Sequence, residues 1–358
     1  MSDQHLDTFE SAVARSRALE IELAKSPSKF RVLTGDRPTG RLHIGHLFGS
    51  LNNRVRLQNL GVETFIVIAD YQVLTDRETF EGIAENTLQL VIDYLSVGID
   101  PASGRTHIFP QSHVPELNQL LVPFLTLVSN AELDRNPTVK EEILASGLKS
   151  VNAGMYTYPV HQAADILFCQ GNIVPVGKDQ LPHLEMARLI ARRFNERFAK
   201  GAAVFPEPQA LLSAAPVILG LDGSQKMSKS RGNAVMLSAT DDETASLVKK
   251  AKTDAERLIT YEPERRPEVA NLLLLASLAS GKDPHELAAR IGGQGSGALK
   301  ALVTEALNEH LKPIRARRRE LESDLGLVKR VLTEGIAVAR ERGQTTLNAV
   351  RQAMNMTI

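Results

Sequence analysis

Apolar residues fall into two rhythms along this chain. Short continuous apolar runs alternate with longer stretches where apolar residues recur every three or four positions. Thr64-Phe65-Ile66-Val67-Ile68-Ala69 has no charged face, as a strand buried on both sides requires. Arg31–Thr34, His107–Phe109 and Ile173–Val176 are further strand candidates, and Pro216-Val217-Ile218-Leu219 is expected to be the last strand. Between them lie helical stripes: Leu47, Phe48, Leu51 and Val55; Ile83, Leu88, Val91, Ile92 and Leu95; and Leu184, Ala187, Ile190 and Phe194. Strands alternating with helices predict an α/β fold, a doubly wound, Rossmann-like parallel sheet covered on both faces. From Asp241 onward the pattern is almost wholly helical, with candidate helices at Val269–Ser280, His285–Ile291, Gly297–Ala316 and Leu327–Glu341. Three parts are expected: an N-terminal helical extension over 1–28, a Rossmann-like catalytic domain over 29–240 and a C-terminal α-helical domain over 241–358. The stretch from Leu133 to Asn152 is polar and irregular, and is expected to be an arm or an interface insertion.

Composition changes this picture in a few places. The formal net charge is zero, which argues against a bulk polyanion binder but leaves room for a local basic groove. Arg315-Ala316-Arg317-Arg318-Arg319 is the local cationic run; alone it reads as a solvated helix face. Cys169 is the only cysteine, so neither an internal disulfide nor a cysteine metal site can be built, and a reducing compartment is expected. The first 26 residues lack the apolar core of a secretion signal. No stretch is apolar enough to span a membrane.

The chemistry concentrates where the first strand ends. Arg31–Thr34 stops at Gly35, and the turn residues Asp36-Arg37-Pro38-Thr39-Gly40 follow. His43-Ile44-Gly45-His46 then opens a helix. Free N–H groups and the positive dipole end favour phosphate there. His43 and His46 are three residues apart and share a face, while Gly45 lets a flat ligand approach the backbone. A second basic string, Lys226-Met227-Ser228-Lys229-Ser230, follows the flexible Leu221–Gln225. In a doubly wound sheet both strings, with Asp70 and Asp179-Gln180, fall at the carboxyl edge of the strands, where ligands bind.

A HIGH string after the first strand and a KMSKS string after a late one resemble the two motifs of class I aminoacyl-tRNA synthetases. Tyr158-Pro159, Ala163-Ala164-Asp165-Ile166-Leu167, Ile173-Val174-Pro175-Val176-Gly177 and Asp179-Gln180 resemble the amino-acid pocket of tryptophanyl-tRNA synthetases. Val97–Pro101 and Gln111-Ser112 are further family-like strings, and the resemblance runs from about Arg31 to Glu341. It implies ATP-dependent activation of L-tryptophan to the adenylate and transfer to tRNA(Trp), by a cytoplasmic homodimer whose helical domain binds the tRNA. Mg²⁺ is implied with ATP, and no metal bound by protein ligands alone. By position, His43, His46, Arg37, Lys226 and Lys229 are implied in catalysis as fixed positive groups. Thr39, Gly45, Lys140, Gly177, Asp179, Met227 and Ser228 are implied at ATP. Tyr158, Gln162, Asp165, Val174, Val176 and Gln180 are implied at tryptophan. The residues themselves agree at one point. Asp165 interrupts an apolar helix stretch, and a buried carboxylate needs a donor. An indole N–H would serve, with Val174 and Val176 as a wall; a backbone or arginine donor is the alternative. Many bacterial members carry Met where this chain has Gln162, and His where it has Gln72. Alternative readings are a tyrosyl enzyme, a small-molecule nucleotidyltransferase, or a weakly catalytic paralogue with a binding role.

Overall fold

The computed structural model describes residues 9–76, 81–136, 138–140, 143, 151–177, 180–212, 217–223 and 226–357. Five strands form one sheet: β1 Arg31–Asp36, β2 Glu63–Ile68, β3 Thr106–Pro110, β4 Ile173–Val176 and β5 Gln209–Leu212. All pairings are parallel and the order is β3-β2-β1-β4-β5. This is a doubly wound sheet, and its order reverses between β1 and β4. β2 shows why the apolar run was continuous. Ile66 and Ile68 enter one buried cluster while Phe65 and Val67 enter the cluster on the opposite face. Period-two alternation divides one strand between two cores.

The main helices are α1 Phe9–Lys25, which packs in a third, smaller cluster, α2 over 44–59, α3 Ile83–Ser96, α4 Ala153–Leu167, α5 Leu181–Phe198, α6 Asp241–Lys250, α7 Pro267–Ser280, α8 Pro284–Ile291, α9 Gly295–Ser323 and α10 Leu325–Ala353. α2 widens into a π turn at Leu47–Leu51, and Leu47, Phe48 and Leu51 are buried as their spacing predicts. α3, α7 and α9 share the first cluster with α2, whereas α4 and α5 fill the second. The helices after Asp241 are therefore continuous with the core under the HIGH helix.

Both edges of the sheet are covered. Ser16 Oγ on α1 accepts from the Leu212 N–H of β5 at 2.9 Å, so the N-terminal extension closes that edge. α10 lies across β3, and a Cβ placed on Gly335 would lie 2.0 Å from the Ile108 carbonyl oxygen. Only glycine allows that approach. Exposed edges invite strand addition, and a covering helix removes the risk.

Two sequence expectations change. The fifth strand is Gln209–Leu212, not the 216–219 run. Leu219 instead forms an isolated antiparallel bridge with Lys226. The Arg315–Arg319 run is not one cationic surface either. Arg315 and Arg318 are buried, and only Arg317 and Arg319 face solvent. Half of the irregular stretch from Leu133 to Asn152 lies outside the described residues.

Gly335→Val should cost about 1–3 kcal/mol by overpacking α10 against β3. Gly297→Ala, on the open face of α9 where an added Cβ meets nothing within 4 Å, should gain up to about 1 kcal/mol. Urea-unfolding midpoints of the two variants check both signs.

Candidate active site

β1 delivers its carboxyl end, Asp36, into a buried network. Arg54 Nη1 on α2 donates to Asp36 Oδ2 at 2.7 Å, Arg54 Nη2 to the Gly35 carbonyl at 3.2 Å, and the Tyr94 hydroxyl to Asp36 Oδ2 at 2.6 Å. Burial alone would raise the Asp36 carboxyl; Arg54, with His46 and Tyr94, holds it below its ordinary range. This network fixes how α2 is rotated as it leaves the strand.

The two histidines cap the helix they open. His43 Nδ1 accepts from the Gly45 N–H at 3.1 Å, and His46 Nδ1 accepts from the His43 N–H at 3.3 Å. Their ring centroids are 3.9 Å apart, so the three-residue spacing does bring them together. Burial, then His46, then Lys226 push the His43 imidazole down to about 3. Burial also lowers His46, although Asp36 pulls the other way. The His43 ring is therefore neutral at pH 7, and in both rings Nδ1 is spent as an acceptor, which leaves Nε2 as the donor. In the ligand-free site His43 is thus a neutral N–H donor rather than a fixed positive group, and burial disfavours the charged form of His46 as well. Gly45 also has a sharper reason than ligand access. A Cβ there would lie 2.8 Å from two atoms of the His43 ring.

The lysine loop lies against this turn. Met227 is buried and its N–H donates to the Ile218 carbonyl at 3.0 Å. Ser228 N donates to Asn233 Oδ1 at 2.9 Å, and Asn233 Nδ2 donates to Asp222 Oδ1 at 3.0 Å. Gly40 has a φ of +130°, and a Cβ there would lie 2.1 Å from Lys229 Nζ. The second lysine thus reaches across the Asp36–Gly40 turn.

A cleft of about 1390 Å³ opens at the carboxyl edge of the sheet. Arg37, His43, Gly45, His46, Lys226 and Met227 line it, and so do Tyr158, Gln162, Asp165, Val174, Val176, Gly177 and Gln180. Thr39, Lys140, Ser228 and Lys229 are not among its lining residues, although Thr138 is. Asp179 lies outside the described residues. Gln72 lines the cleft as well, as do Val13, Ser16, Arg17 and Glu20 of α1, so the extension forms part of the wall.

Asp165 is 2% exposed. Its donor is neither backbone nor arginine but Gln111, whose Nε2 lies 2.7 and 2.8 Å from the two carboxylate oxygens. A carboxylate has about four acceptor sites, so one such amide leaves room for another donor. Burial pushes the Asp165 carboxyl up to about 8; Gln111 opposes that rise and Asp70 adds to it. Gln111 is fully buried, and its Oε1 has no hydrogen-bond partner among the described residues. The Tyr158 hydroxyl lies 3.0 Å from His183 Nε2. Neither Gln111 nor His183 was assigned a role from sequence. The string Gln111-Ser112 was family-like, yet nothing local links it to a residue 54 positions later.

A parallel doubly wound sheet with paired imidazoles and a lysine loop at its carboxyl edge is the architecture of a class I aminoacyl-tRNA synthetase. The family model for class I tRNA synthetases (W and Y) matches residues 25–312. The chain is 42% identical over 333 residues to the tryptophan–tRNA ligase of Clostridium longisporum, covering 91% of this chain and 96% of that protein. It is 41% identical to that of Treponema pallidum, covering 91% and 97%. Among solved structures, it resembles the Campylobacter jejuni tryptophanyl-tRNA synthetase complexed with ADP and tryptophan, with a TM-score of 0.79, 32% identity and coverage of 91% and 100%. Within the class, the chain belongs to the tryptophan–tRNA ligase family.

The elevated Asp165 carboxyl has a pH signature. The folded group keeps its proton up to about 8, while the unfolded one loses it near 4. Between those values the native state binds more protons, so this residue makes stability fall as pH rises. Asp165→Asn should gain on wild type by up to about 1.4 kcal/mol per pH unit across that window. Paired urea titrations of the ligand-free proteins from pH 5 to 8 measure the difference; parallel curves would contradict the assignment.

Proposed function

We propose that this chain activates L-tryptophan with ATP to form tryptophanyl-adenylate and then transfers the aminoacyl group to tRNA(Trp). The observation that carries the reading is Asp165, a buried carboxyl group held by Gln111 in the wall of the cleft that His43, His46 and Lys226 also line. An indole N–H gives that carboxylate a further donor, and Val174 and Val176 form the wall against the ring. Tyr158 and Gln180 hold the ammonium and carboxylate, with Gln162 beside the ring. A tyrosine substrate would place a hydroxyl where the pocket offers a valine wall.

In the first step the amino-acid carboxylate attacks the α-phosphorus in line and pyrophosphate leaves. No protein nucleophile is needed, so alignment supplies much of the rate. Charge builds on the phosphoryl oxygens and the leaving group. The Nε2–H groups of His43 and His46 donate to it, and Lys226, Lys229 and Arg37 meet it with charge. Gly45, Gly177 and Met227 frame the nucleotide, Asp179 accepts from its ribose, and Thr39, Ser228 and Lys140 approach the phosphates as the loop closes. Mg²⁺ enters on the phosphates of ATP, as small hard cations that keep several waters do. Among the described residues no cluster of three His, Cys, Asp or Glu could hold a metal alone. The 2′-hydroxyl of the tRNA terminus then attacks the mixed anhydride and AMP leaves.

The same reading divides the chain into an extension over 1–28, a catalytic part over 29–240 and a tRNA-binding helical part over 241–358. It places the protein in the cytoplasm with its substrates; no described helix is long and apolar enough to cross a membrane. It includes a homodimer, for which Tyr71 and Val122, 41% and 70% exposed, are candidate contacts.

ATP–pyrophosphate exchange screened over twenty amino acids tests the assignment. Tryptophan should drive exchange, with tyrosine at least about a hundredfold weaker. Asp165→Asn should lose roughly 10- to 150-fold in kcat/KM for tryptophan, the scale of one hydrogen bond to a charged group, because the bound indole N–H adds to Gln111 and draws Asp165 into its ionised form. Tyrosine exchanging as well as tryptophan would sink the assignment.

Lys226→Ala and Lys229→Ala should each lower kcat and kcat/KM for activation together, by about 2–4 kcal/mol. Tryptophan binding without ATP, followed by calorimetry, should be unchanged. A rise in the KM for ATP alone would make the lysines ground-state anchors.

A further inference from the structure

α9 carries two arginines, Arg315 and Arg318, that its outward face does not use. They are three residues apart, so their side chains leave the same side of the helix. Both are buried, at 6% and 2% exposure. Arg318 Nη1 is hydrogen-bonded to Asp93 Oδ1, its Nη2 to Gln89 Oε1, and Nη2 also donates to Glu322 Oε1 at 3.2 Å. Asp93, on α3, is fully buried. Its second oxygen, Oδ2, accepts from the Leu42 N–H at 2.8 Å. Leu42 is the residue before His43. One carboxylate therefore bonds a guanidinium of α9 and the backbone of the HIGH turn.

The other arginine grips the opposite side of the same joint. Arg315 Nη1 is hydrogen-bonded to Asp241 Oδ1 and donates to Asn308 Oδ1 at 3.0 Å, while Nη2 donates to Thr244 Oγ1 at 2.6 Å. Asp241 and Thr244 begin α6, four residues after Leu237. Leu237 N donates to the Leu42 carbonyl at 3.0 Å, and Ile44 N donates to the Val235 carbonyl at 2.9 Å. The chain that leaves the lysine loop is thus stitched to the chain that enters the HIGH helix, and α9 holds each partner of the stitch by one arginine.

Stability alone does not explain such a pair. Two buried charges lose hydration, and apolar replacements of similar volume are often as stable. What a guanidinium fork with a partner on each prong supplies that leucine does not is direction. We infer that Arg318 and Asp93 are positioning residues for the adenylation step, setting the His43–His46 turn relative to the lysine loop from α9. The inference rests on the proposed adenylation reading.

The test breaks the link without stranding a charge. Arg318→Met/Asp93→Asn removes both charges and keeps an amide oxygen for the Leu42 N–H. Arg318→Lys keeps the charge but not the fork. Leu311→Ala, a core change on the same helix, controls for lost stability alone. At a temperature where all are folded, the double variant should lose about 10- to 100-fold in kcat for amino-acid-dependent exchange, the scale of a small misplacement. Its affinity for tryptophan without ATP should stay within twofold of wild type. Arg318→Lys should fall between, and Leu311→Ala should keep its kcat. The second readout is the imidazole NMR signals of His43 and His46, which should shift in the double variant and not in Leu311→Ala. A double variant with wild-type kcat, or a Leu311→Ala loss of equal size, overturns the inference. If wild type shows no exchange, the adenylation reading fails, and the imidazole signals alone decide: unmoved signals overturn the link, and moved signals support it. If the double variant does not fold, Arg318→Lys decides by the same two readouts.

Discussion

Three consecutive residues, Leu42, His43 and Ile44, have their backbone N–H groups committed to partners other than the ordinary helical ladder. Buried N–H and C=O groups must be paired, and here the partners come from far along the chain. Leu42 is bonded to Asp93 and Leu237, and Ile44 to Val235. The His43 N–H goes to the His46 ring. A turn tied from two distant segments and by its own side chain cannot drift without breaking several bonds at once. The positions of the imidazoles, of α2 beneath them and of the lysine loop across from them follow from that restraint.

The restraint also sets the electrostatics. Imidazoles used as caps lose one nitrogen to the backbone and sit in a desolvated corner beside Lys226, so their charged forms are disfavoured. Charge is left to side chains with long stems, Arg37, Lys226 and Lys229, all of them exposed. The site divides its work between fixed imidazole donors and extended cations. Asp165 follows related logic elsewhere in the same cleft. Its surroundings disfavour the ionised form, and each additional N–H donor that reaches it makes ionisation easier.

Much of this was legible in residue order, because it depends on local pattern. β2 and the stripe of α2 stand where periodicity put them, as do the cores of α7 to α10 and the meeting of His43 with His46. What failed depended on pairing at a distance. Pro216–Leu219 is apolar enough to be a strand, but the strand beside β4 is Gln209–Leu212, chosen by its register with Ile173–Val176 and by the Ser16 hydroxyl. Five residues from Arg315 to Arg319 read as one basic patch because they are adjacent, yet helical geometry turns Arg315 and Arg318 inward. Asp165 announced that it needed a donor. Gln111 could not be named, since a side-chain amide 54 residues away leaves no local trace. α10 on β3 is legible only in retrospect, from a glycine that lets a helix touch a strand.

The covering of the sheet edges has a bearing on how the protein is made. α1, which protects β5, is synthesised before any strand. α10, which protects β3, comes only after all five. From the moment β3 leaves the ribosome until α10 follows, more than two hundred residues later in chain order, that edge has no helix of its own to cover it. Open strand edges in incomplete chains recruit other chains. The interval of greatest aggregation hazard is thus written into the order of the elements, and it is long at one edge of the sheet and absent at the other.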